Sequence, residues 1–432
     1  MSEEARRPAS ATTSAGVPPA EGAGSSAKER DLNLFVVAGE HSGDALGAKL
    51  MAALNARCPG RIRYAGVGGE QMAEQGLVSQ FPMEEVAVMG LGAILGRLPT
   101  LLRHVHRTAA AAVAAEPDAL VIIDSPEFTH PIARRVRKRR PEIPIIDYVS
   151  PSVWAWRPGR ARKMRNYIDH VLGLLPFEPD AHQRLGGPPC SYVGHPLIER
   201  MAWIEALDTA PLAERLALPR GVSLLLVLPG SRPSEVGRLM RPFGEALTRL
   251  IERGRKFEVA IPVVESMRGL IEQHLPAWPK KPLLLIGEED RFRAFKLARA
   301  ALAASGTVTL ELAVAGTPMV VAYKVDAVMA PPLRLMIKAP SIVLPNLVLE
   351  ERAFPELIQE YCTPVNLAAA LAPILDEGPA RQRQLAALAR VPGRMRLPRG
   401  TPSEAAADVV LDYAEIGRGW PRPSLLGLSR SG

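Results

Sequence analysis

The chain has 432 residues, with 53 Lys and Arg against 45 Asp and Glu and a net charge of +8, and its pI is near 9.6. An anionic partner is therefore expected, whether nucleic acid, a lipid surface or a phosphorylated substrate. At 47% hydrophobic and 23% charged residues the composition is globular, and no apolar run approaches the roughly 20 residues that span a bilayer, which excludes an integral membrane protein.

Residues 1–30 are rich in Ser, Ala, Gly and Pro and predict a disordered extension, without the apolar core of a secretory signal and with early acids, Glu3 and Glu4, that argue against a transit peptide. From Leu32 strand-like and helix-like segments alternate. LNLFVVA, a helix over Asp44 to Leu54, IRYAGV, a helix after Leu98, ALVIID, IPIIDYV and HVLGLL follow in turn, and SYVGHP closes the unit as its last strand. This alternation predicts a parallel sheet wound with helices over residues 31–200. A helical connector from Leu197 to Leu218 leads into a second such unit, residues 201–365, built from SLLLVLPGSR, FEVAIPV, LLLIG and the stretch Ala303 to Tyr323. Residues 366–418 read as carboxyl-terminal helices and residues 419–432 as a frayed tail. Two α/β units in series leave a cleft at the carboxyl ends of their strands, where such sheets bind ligands.

Several turns facing that cleft carry chemistry. In VVAGEHSGD a strand meets Glu40, Ser42 and Gly43 before a helix capped near Gly43 or Asp44, a loop suited to a ligand but without dinucleotide-fingerprint spacing. Asp124 ends the apolar strand ALVIID, which places a carboxylate where a general base would stand; the same residue could serve as a helix cap. DYVSPSVWAWRPGR sets Trp154 and Trp156 beside Arg157, aromatic faces and a cation that suit a sugar or acyl-sugar phosphate. In LPGSR, Arg232 follows Gly230 and Ser231 and suits a bidentate phosphate contact. AASGTVTLELAVAGTPMVVAY reads as strand, turn, helix, strand. Its turn offers Ser305, Gly306 and Thr307 to a diphosphate at a helix N-terminus, and Glu311 to a ribose hydroxyl. The run Arg134 to Arg140 is a basic helix face that adds to the expectation of an anionic surface. Cys58, Cys190 and Cys362 lack a CxxC pair, and His41, His104, His106 and His195 make no metal-ligand pattern. Neither a metal nor a disulfide framework is expected, and a reducing cytosol fits.

The segments VAGEHSGD, GVGGEQM, MGLGAILGRLP, IDSPEF, YVSPSVWAWR, LPFE, VGHP, LPGSR, ASGTVTLELA, PMVVAY and LPNL, in that order, resemble the lipid-A-disaccharide synthase family over about Leu32 to Ala389. The resemblance implies a GT-B fold of two Rossmann-like domains and a metal-independent, cofactor-free inverting glycosyltransferase. It would join UDP-2,3-diacylglucosamine to 2,3-diacylglucosamine 1-phosphate, releasing UDP and forming a β-1,6-linked disaccharide phosphate. By the same resemblance Asp124 takes the proton of the acceptor 6-hydroxyl and Arg232 neutralises charge on departing UDP. Ser305, Gly306 and Thr307 hold the diphosphate, Glu311 the ribose and Asn346 another part of the nucleotide, while Glu40, Ser42 and Gly43 line the facing wall. The other readings are a different GT-B UDP-sugar transferase or a UDP-sugar epimerase, and, from charge alone, a nucleic-acid binder, for which no recognised motif is present. The protein is expected in the cytoplasm at the inner-membrane surface, with a homodimer as one candidate assembly. Membrane contact is expected through Met89 to Arg107, where Leu91, Ile94, Leu95, Leu98, Leu101 and Leu102 precede Arg103, His104, His106 and Arg107, and where glycines and Pro99 favour a shallowly inserting loop.

Overall fold

Seven short segments rich in Val, Ile, Leu and Ala form one parallel sheet: β1 (Leu32–Ala38), β2 (Ile62–Val67), β3 (Val78–Ser79), β4 (Ala119–Ile123), β5 (Ile145–Tyr148), β6 (His170–Gly173) and β7 (Cys190–Tyr192). This is a computed structural model, which describes residues 31–87, 94–219, 222–326 and 339–418. The strand order is β3-β2-β1-β4-β5-β6-β7. Every residue of β4, β5 and β6 is buried, as expected of strands covered by helices on both faces.

The second sheet contains β8 (Ser223–Leu228), β9 (Phe257–Pro262), β10 (Leu283–Leu285), β11 (Ala300–Ala304), β12 (Met319–Tyr323) and β13 (Glu356–Ile358), in the order β10-β9-β8-β11-β12-β13. All described pairings in both sheets are parallel. In each sheet the order reverses once, between β1 and β4 and between β8 and β11, and ligands of open α/β sheets sit outside the strand ends at that reversal. Ala38 pairs with Ile123 across the first reversal and Leu228 with Ala303 across the second. The turns containing Glu40, Asp124, Arg232 and Ser305 therefore all leave from switch points.

The carboxyl-terminal helices do not form one block. Leu367, Leu371 and Ile374 of helix Pro364–Leu375 join the core over the second sheet. Helix Pro402–Gly417 instead returns to the first, burying Ala406, Val410 and Ala414 with Leu34, Val36 and Val121. A capping box starts it: Thr401 accepts from the Glu404 N–H and the Glu404 carboxylate accepts from the Thr401 N–H. Its Asp408 pairs with Arg57.

Local differences from the pattern reading have identifiable causes. The first helix runs His41–Arg57 with Glu40 at its cap. Asp44 is buried within it and accepts from the N–H groups of Gly69, Gln71 and Met72, so it caps the next helix, Glu70–Glu74, rather than its own. The connector is three short helices, Pro196–Arg200, Met201–Ala206 and Ala210–Leu216. Of the stretch expected to insert as a loop, residues 89–93 and the side chains of 94–98 lie outside the described part. The remainder belongs to helix Ile94–Ala115 despite Pro99. Leu101 and Val105 are core residues there, whereas Leu102 is exposed. His104 is buried against Phe81 and lies 3.0 Å from Glu85. No described helix is long and apolar enough to cross a membrane. The predicted disordered extension and frayed tail also lie outside the described residues.

Candidate active site

At the first switch point the ends of β1 and β4 are brought together by absent side chains. A Cβ on Gly39 would lie 2.8 Å from the Ser125 Cβ, and one on Gly43 would lie 3.3 Å from the Ile123 carbonyl oxygen. The β4 turn is sharply bent, with Asp124 and Ser125 both left-handed (φ 51° and 44°), a conformation that is strained for residues with a side chain. Four contacts hold it. The Asp124 N–H donates to the Tyr148 carbonyl at 3.0 Å, Thr129 Oγ1 donates to the Asp124 carbonyl at 2.8 Å, the Ser125 N–H donates to Asp124 Oδ1 at 2.7 Å and Ser42 Oγ donates to Oδ2 at 3.3 Å. The carboxylate is thus half-buried and oriented, with Oδ2 toward exposed Ser42. Asp124 does not cap the following helix; Ser125 occupies that position.

At the second switch point β8 ends in a turn built around Glu235. Gly230 has φ 112°, and a Cβ there would meet Glu235 Oε2 at 2.4 Å, so only glycine fits. Glu235 Oε2 accepts from the Ser231 N–H at 3.1 Å, and Oε1 accepts from Arg232 Nη1 at 2.8 Å. The guanidinium is aimed yet accessible, its side chain 74% exposed. Its hydrogen bond to Glu235 raises the Arg232 pKa, and the charges of Glu235, Tyr323 and Glu40 raise it further. Glu40 belongs to the opposite sheet, so opposite charges face each other across the cleft.

The β11 turn presents exposed Gly306 and Thr307, followed by helix Val308–Val314. Ser305 Oγ donates to the Ile342 carbonyl at 2.7 Å, tying this turn to the segment before helix Leu344–Leu349. Glu311 Oε1 lies 3.5 Å from Arg291 Nη2, while Oε2 is buried and has no hydrogen-bond partner among the described residues. Burial pushes the Glu311 pKa up, against the pull of Arg291. A buried carboxylate oxygen without a donor is costly and is well suited to accept from a ligand hydroxyl. Asn346 is different: its amide donates to Ser341 Oγ and the Phe354 carbonyl and accepts from the Phe354 N–H, so it fastens the 341–354 loop rather than offering free polar atoms.

Trp154, Trp156 and Arg157 lie on the loop after β5. Arg157 stacks over Trp156 at 4.4 Å, and Trp154 meets Phe177 edge-on at 5.0 Å. The residue that orders this loop, Glu178, was not legible as functional in the pattern. It is fully buried, accepts from Trp154 Nε1 at 3.2 Å and from the Leu175 N–H at 2.9 Å, and burial pushes its pKa up to about 7. Because the folded value exceeds the ordinary 4.5, the proton favours the fold. The stability it contributes is complete below pH 4.5 and is lost as pH rises through about 7, on the order of 3 kcal/mol in all. Glu178→Gln is expected to flatten this fall; urea denaturation at pH 5.5 and pH 8 checks it, and an unaltered pH slope would contradict it. Glu235 was equally unread, although its position three residues past the Arg232 cap is a known place for a carboxylate that reaches back to cap N–H groups.

The basic run is not an open cationic face. Arg137 pairs with Asp169, Arg140 with Glu116 and Glu142, and Arg134 donates to the Tyr167 hydroxyl. His195 is neutral at pH 7, since burial lowers its pKa to about 4, and its Nδ1 accepts from the Leu197 N–H.

Comparison with known proteins fits this geometry. Chains of the same fold include a UDP-GlcNAc 2-epimerase from Neisseria meningitidis bound to UDP-GlcNAc (TM-score 0.60, 10% identity, 88% of this chain and 99% of that one). Another is a putative UDP-N-acetylglucosamine 2-epimerase from Listeria monocytogenes (TM-score 0.59, 13% identity, 91% and 98%). At such identities they establish the fold alone, the GT-B arrangement of two Rossmann-like units. Sequence relatives are closer: lipid-A-disaccharide synthases of Rhodopseudomonas palustris (53% identical over 378 residues, 88% of this chain and 94% of that one) and Nitrobacter hamburgensis (50% over 386 residues, 89% and 96%). The model of the lipid-A-disaccharide synthetase family matches residues 34–396, which takes in both sheets and every turn described above, and the chain belongs to that family.

Proposed function

We propose that the protein condenses UDP-2,3-diacylglucosamine with 2,3-diacylglucosamine 1-phosphate, forming the β-1,6-linked disaccharide 1-phosphate and UDP. The observation that carries this reading is the pairing of an oriented carboxylate, Asp124, at one switch point with an accessible guanidinium, Arg232, at the other, in a chain of this family. The acceptor 6-hydroxyl attacks the donor C1 as the C1–O bond to UDP breaks, and Asp124 Oδ2 receives the hydroxyl proton. Ser42, hydrogen-bonded to the same oxygen, fixes its direction. Arg232 and the amino end of the helix Pro233–Glu252 stabilise the negative charge that develops on UDP. Gly230 and Ser231 give the close backbone approach, and Ser305, Gly306 and Thr307 receive the diphosphate. Glu311 accepts from the ribose. Glu40 and Gly43 line the opposite wall, and Trp154, Trp156 and Arg157 flank the sugars. Asn346 shapes the nucleotide side indirectly, by holding its loop. UDP release that requires both acylated sugars supports the assignment; release with either sugar alone contradicts it.

Glu311→Ala is expected to weaken UDP binding by roughly 1.5–3 kcal/mol, the worth of a hydrogen bond to a charged group. Titration calorimetry checks this, and unchanged affinity would put the ribose elsewhere.

Both substrates carry acyl chains, so we further propose that the protein works in the cytoplasm at the inner-membrane surface, with residues 89–107 as the contact. Exposed Leu102, next to Arg103, supports this, whereas the core positions Leu101 and Val105 confine any contact to one face of the helix. Sedimentation with anionic vesicles that salt reverses is the expected result; a protein that stays in solution at low salt would refute it. A homodimer is compatible with the fold, and light scattering decides it.

A further inference from the structure

Beside the switch points lies a second feature, of which the reaction scheme uses only Trp154 and Asn346. A cavity of about 500 Å³ opens between the two sheets' loops, walled by Trp154, Phe177, Ala181 and Leu185 on one side and by Leu347 and Pro340 on the other. Its size falls within the ~300–1,000 Å³ of small-ligand sites, and its lining is largely apolar. Pro158, Arg184 and Leu185 also border an adjoining groove of about 610 Å³, which adds Arg162, Lys163 and Asn166.

The charges of that groove set it apart. Arg162, Lys163 and Arg184 are exposed, and among the described residues no carboxylate pairs with any of them. Elsewhere on this surface arginines are commonly paired, as in Arg137–Asp169, Arg200–Glu288 and Arg255–Asp376. On the cavity rim Glu351 is neutralised by Arg390, which leaves Glu350 as the opposing charge. Three unpaired cations in one groove repel one another and favour a multiply charged anion.

The position is equally specific. Ser341 and Asn346 line the cavity, and Ser305 of the β11 turn bonds to the intervening Ile342 carbonyl, so one wall adjoins the turn assigned to the diphosphate. Helix Gly159–Met164, which carries Arg162 and Lys163, is tied through Arg160 to the Pro126 carbonyl and Glu127, directly after Asp124. We infer that the cavity and groove form a bipartite site for the acylated sugar phosphate that accepts the glycosyl group: an acyl chain in the cavity, and its phosphate among Arg162, Lys163 and Arg184. This rests on the proposed reaction for the identity of the amphiphile. A nucleotide-linked donor would instead place its phosphates at Arg232 and Ser305 to Thr307.

The test is equilibrium binding of radiolabelled 2,3-diacylglucosamine 1-phosphate, and of its dephosphorylated counterpart, to the full-length protein in detergent micelles. The exposed substitutions Arg162→Gln, Lys163→Gln and Arg184→Gln, combined, are expected to weaken binding of the phosphorylated amphiphile at least roughly tenfold and the dephosphorylated one less than about twofold. Leu185→Gln, at the junction, is expected to weaken both. Calorimetric UDP affinity equal to wild type shows that each variant is folded. Unaltered binding of the phosphorylated amphiphile by the triple variant overturns the inference. So does loss of sedimentation with anionic vesicles while micellar binding is retained, since the cations would then be a membrane contact. Wild-type protein that binds the amphiphile and forms no disaccharide refutes the reaction and leaves this site standing.

Discussion

Asp124→Asn is expected to abolish most glycosyl transfer while leaving UDP affinity within about twofold of wild type. The substitution keeps the shape of the side chain. The Ser125 N–H contact at 2.7 Å needs only the one acceptor oxygen that asparagine keeps, and the asparagine NH2 in the place of Oδ2 can donate to Ser42 Oγ, so the strained turn retains most of its restraints. What is lost is the capacity to take a proton from the attacking hydroxyl. Loss of a positioned general base typically costs about a hundred- to ten-thousand-fold in rate. Steady-state rates at saturating substrates, with calorimetric UDP titration of the same preparation, separate this from loss of binding. Near-normal turnover would remove Asp124 from the chemistry and return it to the role of a turn-forming residue.

Arg232→Ala is expected to lower kcat by roughly a hundred- to a thousand-fold, the usual effect of removing one preorganised charge or donor aimed at developing negative charge. UDP affinity should fall as well, because the diphosphate is anionic before the bond breaks. The turn itself should survive, since the Glu235 carboxylate still accepts from the Ser231 N–H. Arg232→Lys should recover only part of the rate, because an ammonium supplies the charge without the planar fork that grips two oxygens. Kinetics of both variants against the donor check this. An alanine variant within about threefold of wild type would show that the leaving group is stabilised elsewhere, first at the turn of Ser305 to Thr307.

The fold was legible because its signals are local. Buried parallel strands such as ALVII are continuous apolar runs, and Gly230 and Ser305 to Thr307 punctuate the strand ends as turns must. Side chains at those ends, Asp124 and Arg232, could be placed at a cleft before any strand order was known. What local pattern could not carry was pairing between distant segments. The return of helix Pro402–Gly417 to the first sheet depends on Val410 and Ala414 meeting Val36 and Val121, and nothing near residue 410 announces that partner. Asp44 looked like a cap for its own helix and is one for another, through the N–H groups of Gly69, Gln71 and Met72. Asn346 looked like a ligand contact, yet its amide is engaged with Phe354 and Ser341. Glu178 drew no attention as an acid, because only the folded chain buries it beneath Trp154. In each case the residue type was a sound guide to the chemistry, and the tertiary partner decided where that chemistry is used.

The proposed reaction is transfer between two acylated sugars with inversion at the donor C1. Its most direct measurement is to incubate the purified full-length protein with UDP-2,3-diacylglucosamine and 2,3-diacylglucosamine 1-phosphate, quantify UDP, and determine the linkage of the lipid product by NMR. Equimolar UDP and a β-1,6-linked disaccharide carrying one phosphate are the expected result. UDP without disaccharide, an epimerised UDP-sugar, or an α-linked product would contradict it.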